Sequence, residues 1–489
     1  MGLALGITPI LLRTLGAARL GAARAVMDCV AYLALFELGL GGAMIPMLAR
    51  ALALEDEESV RRTLAAGFRA YLIVLVPMLL GAVAITFGIT HLVKVEPALH
   101  GELRLACIYA AVPLLLMPLS PLRALIDANQ RSYVLSVFVI SQSILTAVSS
   151  VLLAKWGFGV GGQTLAVAIG SALFGAFLVL DAHRYARGSL PRLPFTVSRD
   201  TMREIWSLNT PTLLINVCAR IGLLTDNIVI GSILSAPAIV PFLMTQRLGQ
   251  IVGNQLQAVG SASWAGLTQL YTRGERDLFR ERFLELNQLV MSLGLCALIP
   301  IVVYNRMFVT LWLGEASYGG VALTAIAALN ALFLAICSLW GWLFGGTGQL
   351  SRLVVISLIS AAINLVVSVG FTWLMASRDA QTAMWGPLLG TATALLSVNL
   401  SYTPVLMRRH FGIPIRALAW SLSKPLLCSI PFAFALFWLA KNLPPRGWGG
   451  LLASMAAGGV AFATVCWALV LRASERAIWM HRLRLLLRR

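Results

Sequence analysis

The chain has 489 residues, of which 59% are hydrophobic and only 12% are charged. Soluble domains of ordinary composition carry about 25% charged residues, so this composition excludes a soluble globular protein. Apolar runs of about 20 residues recur along the whole length, and each is long enough to cross a bilayer as a helix. The formal net charge of +18 would suggest nucleic-acid binding in a soluble protein. In a membrane protein, the positions of the lysines and arginines instead indicate which loops are cytoplasmic.

The hydropathy pattern predicts an all-α polytopic membrane protein with fourteen helices, the first of them abnormally short. An even number of helices places both termini on the same side of the membrane. The predicted ranges are 2–12, 25–49, 67–90, 105–122, 134–153, 164–182, 207–232, 238–263, 284–304, 319–345, 353–375, 384–406, 425–440 and 449–471.

Lysine and arginine residues are divided unequally between the two sets of loops. Twenty-six of the 38 fall in the set that includes the C-terminal tail, ten fall in the opposite set, and Arg220 and Arg247 lie inside helices. Cytoplasmic loops are enriched in these residues, so both termini are predicted to be cytoplasmic. The positive charge is then explained by topology, and nucleic acid is not an expected partner.

Two pairs of similar segments suggest a duplicated architecture. "LIDANQRS" resembles "LFGGTGQLSR", and "KWGFGVGGQTLAVAIG" resembles "AMWGPLLGTATALLS", each at an offset of about 220 residues. We therefore predict an N-terminal lobe over 1–182, a cytoplasmic linker over 183–206 and a C-terminal lobe over 207–406. Residues 407–489 would add two helices and a basic amphipathic tail that lies on anionic membrane lipids.

The predicted seventh helix carries polar residues on one face. Asn209, Asn216, Arg220 and Asn227 fall within about 20–40° of one another at 3.6 residues per turn. Asp226 lies about 120° round the helix from Arg220, so these two residues do not form an intrahelical pair. Charged residues in a membrane-spanning segment cost at least about 2.5–3.5 kcal/mol, and they mark a functional site by default.

The predicted eighth helix has a continuous polar face in an otherwise apolar segment. Its members, spaced by three, four, three and four positions, are Arg247, Gln250, Asn254, Gln257 and Ser261. Such a face can join helices by hydrogen bonds inside the bundle, or it can line a water-filled or substrate-facing lumen. Five polar residues that include an arginine exceed what packing requires, which favours the lumen.

Two carboxylates are candidates for coupling or gating. Asp226 precedes the turn near Ala236 by about as many residues as Arg247 follows it, so both reach a depth of roughly 15 Å from the turn. An Asp226–Arg247 ion pair could be purely structural, or it could break when substrate or a counter-ion arrives. Glu37 lies near the middle of the second predicted helix, where it is either a proton or cation site or a packing carboxyl with a hydrogen-bond donor.

Three stretches resemble the Wzx-type O-antigen flippase (polysaccharide exporter) branch of the multidrug/oligosaccharidyl-lipid/polysaccharide (MOP) superfamily. They are "ITPILLRTLGAARLGAARAVMDCVAYLALFELGLGGAM", "TDNIVIGSILSAPAIVPFLMTQRLGQIV" and "LFGGTGQLSRLVVISLISAAINLVVSVG". Together with the helix pattern, the likeness spans nearly the whole chain. Members of that family usually have a fuller first helix after a polar leader, so we expect the annotated start to be late or the gene to be truncated.

The resemblance implies a transporter in the bacterial inner membrane and not an enzyme. It implies movement of undecaprenyl-diphosphate-linked oligosaccharide to the periplasmic leaflet for O-antigen, capsule or exopolysaccharide synthesis, alongside a polymerase and a chain-length regulator. Arginines would replace the hydration of the diphosphate, and amides would bind sugar hydroxyls. The candidate residues are Arg13, Arg220 and Arg247 for the diphosphate, and Asn216, Asn227, Gln250, Asn254 and Gln257 for the sugars.

No ATP-binding motif, metal-ligand spacing or disulfide framework occurs in the sequence, so no cofactor is expected and energy would come from an H⁺ or Na⁺ gradient or from product consumption. One alternative is an ion-coupled multidrug extruder of the same superfamily. The extra two helices and the arginines inside helices argue against it. A second alternative is a membrane glycosyltransferase or O-antigen ligase. Such a protein needs an acidic or Arg- and His-bearing loop on the outer side, and the predicted outer loops are short and poor in these residues.

Overall fold

The computed structural model describes residues 2–37, 40–185, 190, 214, 217–218, 225–471, 476 and 480. Every regular element in these ranges is helical, which confirms the all-α polytopic fold. Nine helices within the described ranges are long and apolar enough to cross a membrane. They are Glu57–Leu92, Pro97–Ala128, Ser132–Lys155, Gly159–Tyr185, Arg276–Leu313, Val321–Gly346, Leu350–Ala376, Ile415–Asn442 and Gly447–Val470.

The first of two compact units comprises Met1–Val240 and Thr372–Ala383. It is built from helices that pack on one another, with a 3-10 segment (Leu33–Glu37) after the first and a π turn (Ile230–Leu234) near its end. The predicted linker over 183–206 lies largely outside the described residues, so the predicted lobe boundaries stay a prediction. The helices are α1 (Gly2–Ala31), α2 (Leu40–Ala53), α3 (Glu57–Leu92), α4 (His100–Leu115), α5 (Ser120–Ala128), α6 (Ser132–Lys155) and α7 (Gly159–Tyr185).

The second unit comprises Pro241–Phe371 and Met384–Arg489. In its described hydrophobic core, buried Trp340 donates a hydrogen bond of 2.7 Å from Nε1 to Asn287 Oδ1. The helices that follow α7 are α8 (Ala236–Thr272), which begins in the first unit, α9 (Arg276–Leu313), α10 (Val321–Gly346), α11 (Val354–Ala376), α12 (Ala380–Ala383), α13 (Gly386–Ala394), α14 (Leu400–Phe411), α15 (Ile415–Asn442) and α16 (Gly447–Val465). Of these, α12 and the end of α11 from Thr372 belong to the first unit.

The structure corrects the predicted ends of the first two helices. Residues 13–24, predicted as a loop, are helical except at Gly16, where φ of 76° and ψ of 169° bend α1. One glycine suffices for this turn because it has no Cβ to clash at positive φ. The predicted second helix, 25–49, is the end of α1 followed by the 3-10 segment and α2. Arg19 and Arg24 therefore lie in a helix and not in a loop.

The predicted twelfth helix, 384–406, is also interrupted. A π turn at Leu395–Asn399 separates α13 from α14, and Asn399 Nδ2 there donates to Ser360 Oγ at 2.8 Å. Insertions of this kind in a helix are common near functional sites. Hydropathy does not detect them because the apolar pattern continues through the insertion.

Candidate functional site

The polar face predicted on the eighth helix lies in one uninterrupted helix, α8. Gln250, Asn254 and Ser261 are exposed, and Arg247 and Gln257 are half-buried. Arg247 and Asn254 also have interactions within the protein. This face presents a guanidinium and several amides on a helix that is otherwise mainly apolar.

Another side of α8 is packed against α10 of the same unit. A Cβ added at Gly253 would lie 3.2 Å from Ala331 Cβ, and one at Gly260 would lie 3.3 Å from Leu339 Cα. These glycines are about 90° round the helix from the centre of the polar face. Close packing on the glycine side leaves Gln250, Asn254 and Ser261 exposed.

A second polar group lies in the first unit, between α1 and the segment 225–229. Asn227 Nδ2 donates a hydrogen bond of 2.5 Å to Asp28 Oδ2, and Asn227 is buried. Tyr32 OH and Thr225 Oγ1 form a further hydrogen bond one turn away. Asp28 lies about 18 Å along α1 from Gly16, three residues before the helix ends at Ala31.

Charged residues flank this hydrogen bond. Arg24 is exposed one helical turn before Asp28 and interacts electrostatically with it. Asp226 lies close enough to Asp28 for mutual repulsion, and its buried Oδ1 atom has no hydrogen-bond partner in the described part of the chain. Two carboxylates and one amide thus lie close together in the first unit, with the exposed guanidinium of Arg24 one turn away from Asp28.

The described residues contain no cluster of three or more His, Cys, Asp or Glu side chains that could hold a metal ion. Two buried oxygen atoms of neighbouring residues, Asp226 Oδ1 and Asn227 Oδ1, have no hydrogen-bond partner in the described ranges. This group can accept a proton, or it can offer oxygens to a cation or to a cationic ligand.

Glu37 ends the 3-10 segment that follows α1 and is half-buried. Its Oε1 atom accepts a hydrogen bond of 2.9 Å from Tyr71 OH on α3. The carboxyl therefore has a donor, as the packing alternative expects. Its predicted role in coupling or gating stays a prediction.

An ion pair fixes the second half of α1 to two other helices. Arg19 makes a two-pronged contact with Glu102 of α4, with Nε–Oε2 at 3.0 Å and Nη2–Oε1 at 2.9 Å. Glu102 Oε2 also accepts the backbone N–H of Val160, at the start of α7, at 3.0 Å. Because α1 carries Arg24 and Asp28, this ion pair sets their position relative to α4 and α7.

Two of the predicted site residues, Asn216 and Arg220, lie outside the described residues. Arg13 is exposed on α1, shortly before the bend at Gly16. Asp226 belongs to the first compact unit and Arg247 to the second, and their predicted ion pair stays a prediction. The substrate-binding roles of all these residues also stay predictions.

The sequence pattern did not identify Arg24 and Asp28 as candidate site residues. It placed residues 13–24 in a loop because arginines interrupt the apolar pattern there. The i, i+4 spacing of Arg24 and Asp28, within an alanine-rich stretch of high helix propensity, is the signal that would have found them.

No protein-family model matches the chain, and no curated protein matches it. Among solved structures, lipid II flippase MurJ in its inward closed conformation is similar, with a TM-score of 0.70, 12% identity and coverage of 96% of this chain and 98% of that chain. An inward-facing multidrug resistance MATE family transporter of the MOP superfamily has a TM-score of 0.63 and 16% identity, covering 86% of this chain and 94% of that chain.

A eukaryotic MATE transporter is similar with a TM-score of 0.55 and 15% identity, over 86% of this chain and 96% of that chain. These neighbours are transporters and a flippase and not enzymes. The chain is a multi-pass membrane protein with the fold of MOP superfamily transporters. The resemblance found in the sequence is thereby confirmed for the superfamily fold.

Proposed function

We propose that the chain flips an undecaprenyl-diphosphate-linked oligosaccharide across the bacterial inner membrane, for O-antigen, capsule or exopolysaccharide synthesis. The observation that carries this proposal is the exposed polar face of α8, on which Arg247 is followed by three amides while glycines occupy the packed side. An anionic diphosphate entering a low-dielectric region requires donors that replace its hydration, and a guanidinium supplies them in a fork. The amides can bind sugar hydroxyls.

The similarity to MurJ supports a lipid-linked substrate, because a protein of that fold is a lipid II flippase. In the proposed cycle the substrate head group binds the α8 face while the site is open to the cytoplasm and leaves towards the periplasm. Both termini are cytoplasmic in this proposal, and a polymerase and a chain-length regulator receive the product.

Coupling to H⁺ or Na⁺ is assigned in this proposal to the group around Asn227. Asp28 and Asp226 repel each other when both are charged, so uptake of one cation would relieve that repulsion. Release of the cation on the other side would reset the group. Transport then draws on an ion gradient without a nucleotide cofactor.

A multidrug extruder is the second candidate, and the same carboxylates favour it. Asp28 and Asp226 could neutralise an organic cation inside the membrane, and MATE transporters share the fold. The two candidates predict opposite charges for the substrate. A flippase needs its arginines, whereas an extruder of cations needs its carboxylates.

The deciding experiment is a transport assay in proteoliposomes with a fluorescent diphosphate-linked oligosaccharide lipid and, separately, with ethidium. We expect wild type to move the lipid, and Arg247→Ala to reduce its flipping at least tenfold, since a charge-assisted hydrogen-bonded group is worth about 1.5–3 kcal/mol. Arg306→Ala is the matched control, because Arg306 is an exposed arginine of the same unit paired with Glu315 at 2.7 Å.

Flipping by Arg247→Ala at the wild-type rate would remove this residue from the mechanism. Transport of ethidium but not of the lipid, lost on Asp28→Asn and kept by Arg247→Ala, would establish the extruder instead. Immunoblots of membrane fractions show that each variant inserts.

A further inference from the structure

Four arginines and one histidine lie at one end of the second unit, where α14 ends and α15 begins. Gly412, in the left-handed conformation with φ of 65°, turns the chain between these helices. His410 lies close enough to two of the arginines for electrostatic interaction. We call this set the basic rim, and it consists of Arg352, Arg408, Arg409, His410 and Arg416.

The arginines of the basic rim have no ion-pair or hydrogen-bond partner for their side chains in the described ranges. Other surface arginines do: Arg62 pairs with Glu58 at 3.0 Å, and Arg306 pairs with Glu315 at 2.7 Å. An uncompensated group of arginines repels itself, so the group favours an anion from outside the chain.

Little unpaired negative charge lies near the rim. On α9, Arg280 Nε donates to Phe411 O at 3.1 Å, and the nearby Asp277 is paired with Arg280 at 3.2 Å. After Glu315 the only acidic residues are Asp379 and Glu475. Asp379 follows the far end of α11, a helix of 23 residues that begins beside Arg352 and is about 34 Å long. At that distance Asp379 is screened from the rim, because the Debye length at physiological ionic strength is about 8 Å.

The rim follows the border of the lipid-facing surface. Arg416 precedes exposed Trp420 by one turn on α15, and Arg352 precedes exposed Val355 at the start of α11. On α14, exposed Tyr402 lies two turns before Arg409, on the same face. Tryptophan and tyrosine concentrate at the level of lipid headgroups, which places the neighbouring guanidinium groups at the level of the phosphates.

We propose that the basic rim binds the phosphate headgroups of anionic phospholipids of the surrounding bilayer. Guanidinium forks match phosphate oxygens, and the rim lies at the end of the unit whose loops are rich in arginine. That end is predicted to be cytoplasmic, where the leaflet is the more anionic one. This site is separate from the polar face of α8 and does not depend on which substrate is transported.

The test is native mass spectrometry of the full chain in detergent, titrated with phosphatidylglycerol and with phosphatidylcholine of the same acyl chains. Each arginine near an anionic surface contributes about fivefold in affinity. Arg352→Gln, Arg409→Gln and Arg416→Gln together should weaken phosphatidylglycerol binding by about a hundredfold, to the level of phosphatidylcholine. Arg61→Gln, Arg62→Gln and Arg306→Gln together remove the same formal charge from ion-paired arginines and should leave affinity within about twofold of wild type.

An unchanged phosphatidylglycerol affinity in the rim variant, or equal binding of the two lipids by wild type, overturns the proposal. Millimolar inorganic pyrophosphate, compared with chloride at matched ionic strength, should not displace the lipid. Displacement would assign the rim to free anions instead. If the triple variant does not elute as a monodisperse protein, the three single variants replace it, each with an expected loss of about fivefold.

Discussion

Asn227 donates a hydrogen bond of 2.5 Å to Asp28, which joins residues 199 positions apart in the sequence. The bond holds an aspartate on α1 beside the segment that contains Asp226. A hydrogen bond to a charged group contributes about 1.5–3 kcal/mol, more than most polar contacts. The cluster therefore depends on the amide at position 227.

We expect Asn227→Ala to lower the free energy of unfolding by about 1.5–3 kcal/mol, because Asp28 loses a donor. Asn227→Asp should be more damaging, because it brings a third carboxylate next to Asp28 and Asp226. Denaturant titration followed by tryptophan fluorescence measures both effects. Equal stability of wild type and Asn227→Ala would show that this hydrogen bond does not stabilise the fold.

The two sides of α8 should respond differently to the same substitution. Gly253→Leu forces a side chain against Ala331 and should cost about 1–3 kcal/mol through overpacking. Gln250→Leu, one turn away on the exposed polar face, should change the free energy of unfolding by less than about 0.5 kcal/mol. It should nevertheless impair transport. Thermal unfolding and lipid flipping, measured on the same variants, distinguish an effect on stability from an effect on transport. A transport defect that follows only the loss of stability would argue against a substrate-facing role.

The sequence was sufficient for the fold class, because long apolar runs are a strong signal of membrane-spanning helices. The orientation drawn from the lysine and arginine bias stays a prediction. The sequence was also sufficient for the polar periodicity of α8, since its five members fall within about 80° of one another on a regular helix. It failed at residues 13–24, where three arginines imitate a loop. Arg19 is accommodated there by Glu102, a partner 83 positions away that no local pattern reveals.

A buried ion pair at the α6–α7 contact should contribute strongly to the stability of the first unit. Arg131 contacts Asp181 through two hydrogen bonds, of 2.7 Å and 3.2 Å, and its guanidinium also lies 4.0 Å from the centre of the Tyr185 ring. Asp181 is only 8% exposed, so Arg131→Ala leaves a buried carboxylate without its cation. Breaking a fully buried pair costs about 3–5 kcal/mol, and we expect at least about 2 kcal/mol here.

The double variant Arg131→Ala with Asp181→Asn should recover part of that loss, because a neutral amide needs no counter-charge. Arg62→Ala removes an exposed partner of Glu58 and should cost less than about 1 kcal/mol. Denaturant titrations of wild type, Arg131→Ala, the double variant and Arg62→Ala measure these differences. No recovery in the double variant would show that the packing of Arg131 on Tyr185, and not the charge pair, carries the stability.

The Arg19–Glu102 pair should act on transport through the position of α1. The two side chains are 43% and 29% exposed, so the pair itself contributes little to stability, and Glu102→Gln should cost about 1 kcal/mol or less. The same change frees the helix that carries Arg24 and Asp28, so the apparent affinity for the lipid-linked substrate should fall several-fold more than the maximal rate. The charge swap Arg19→Glu with Glu102→Arg should restore part of that affinity, whereas each single reversal should not. A swap that restores nothing, while Glu102→Gln transports like wild type, would show that the position of α1 is set by apolar packing alone.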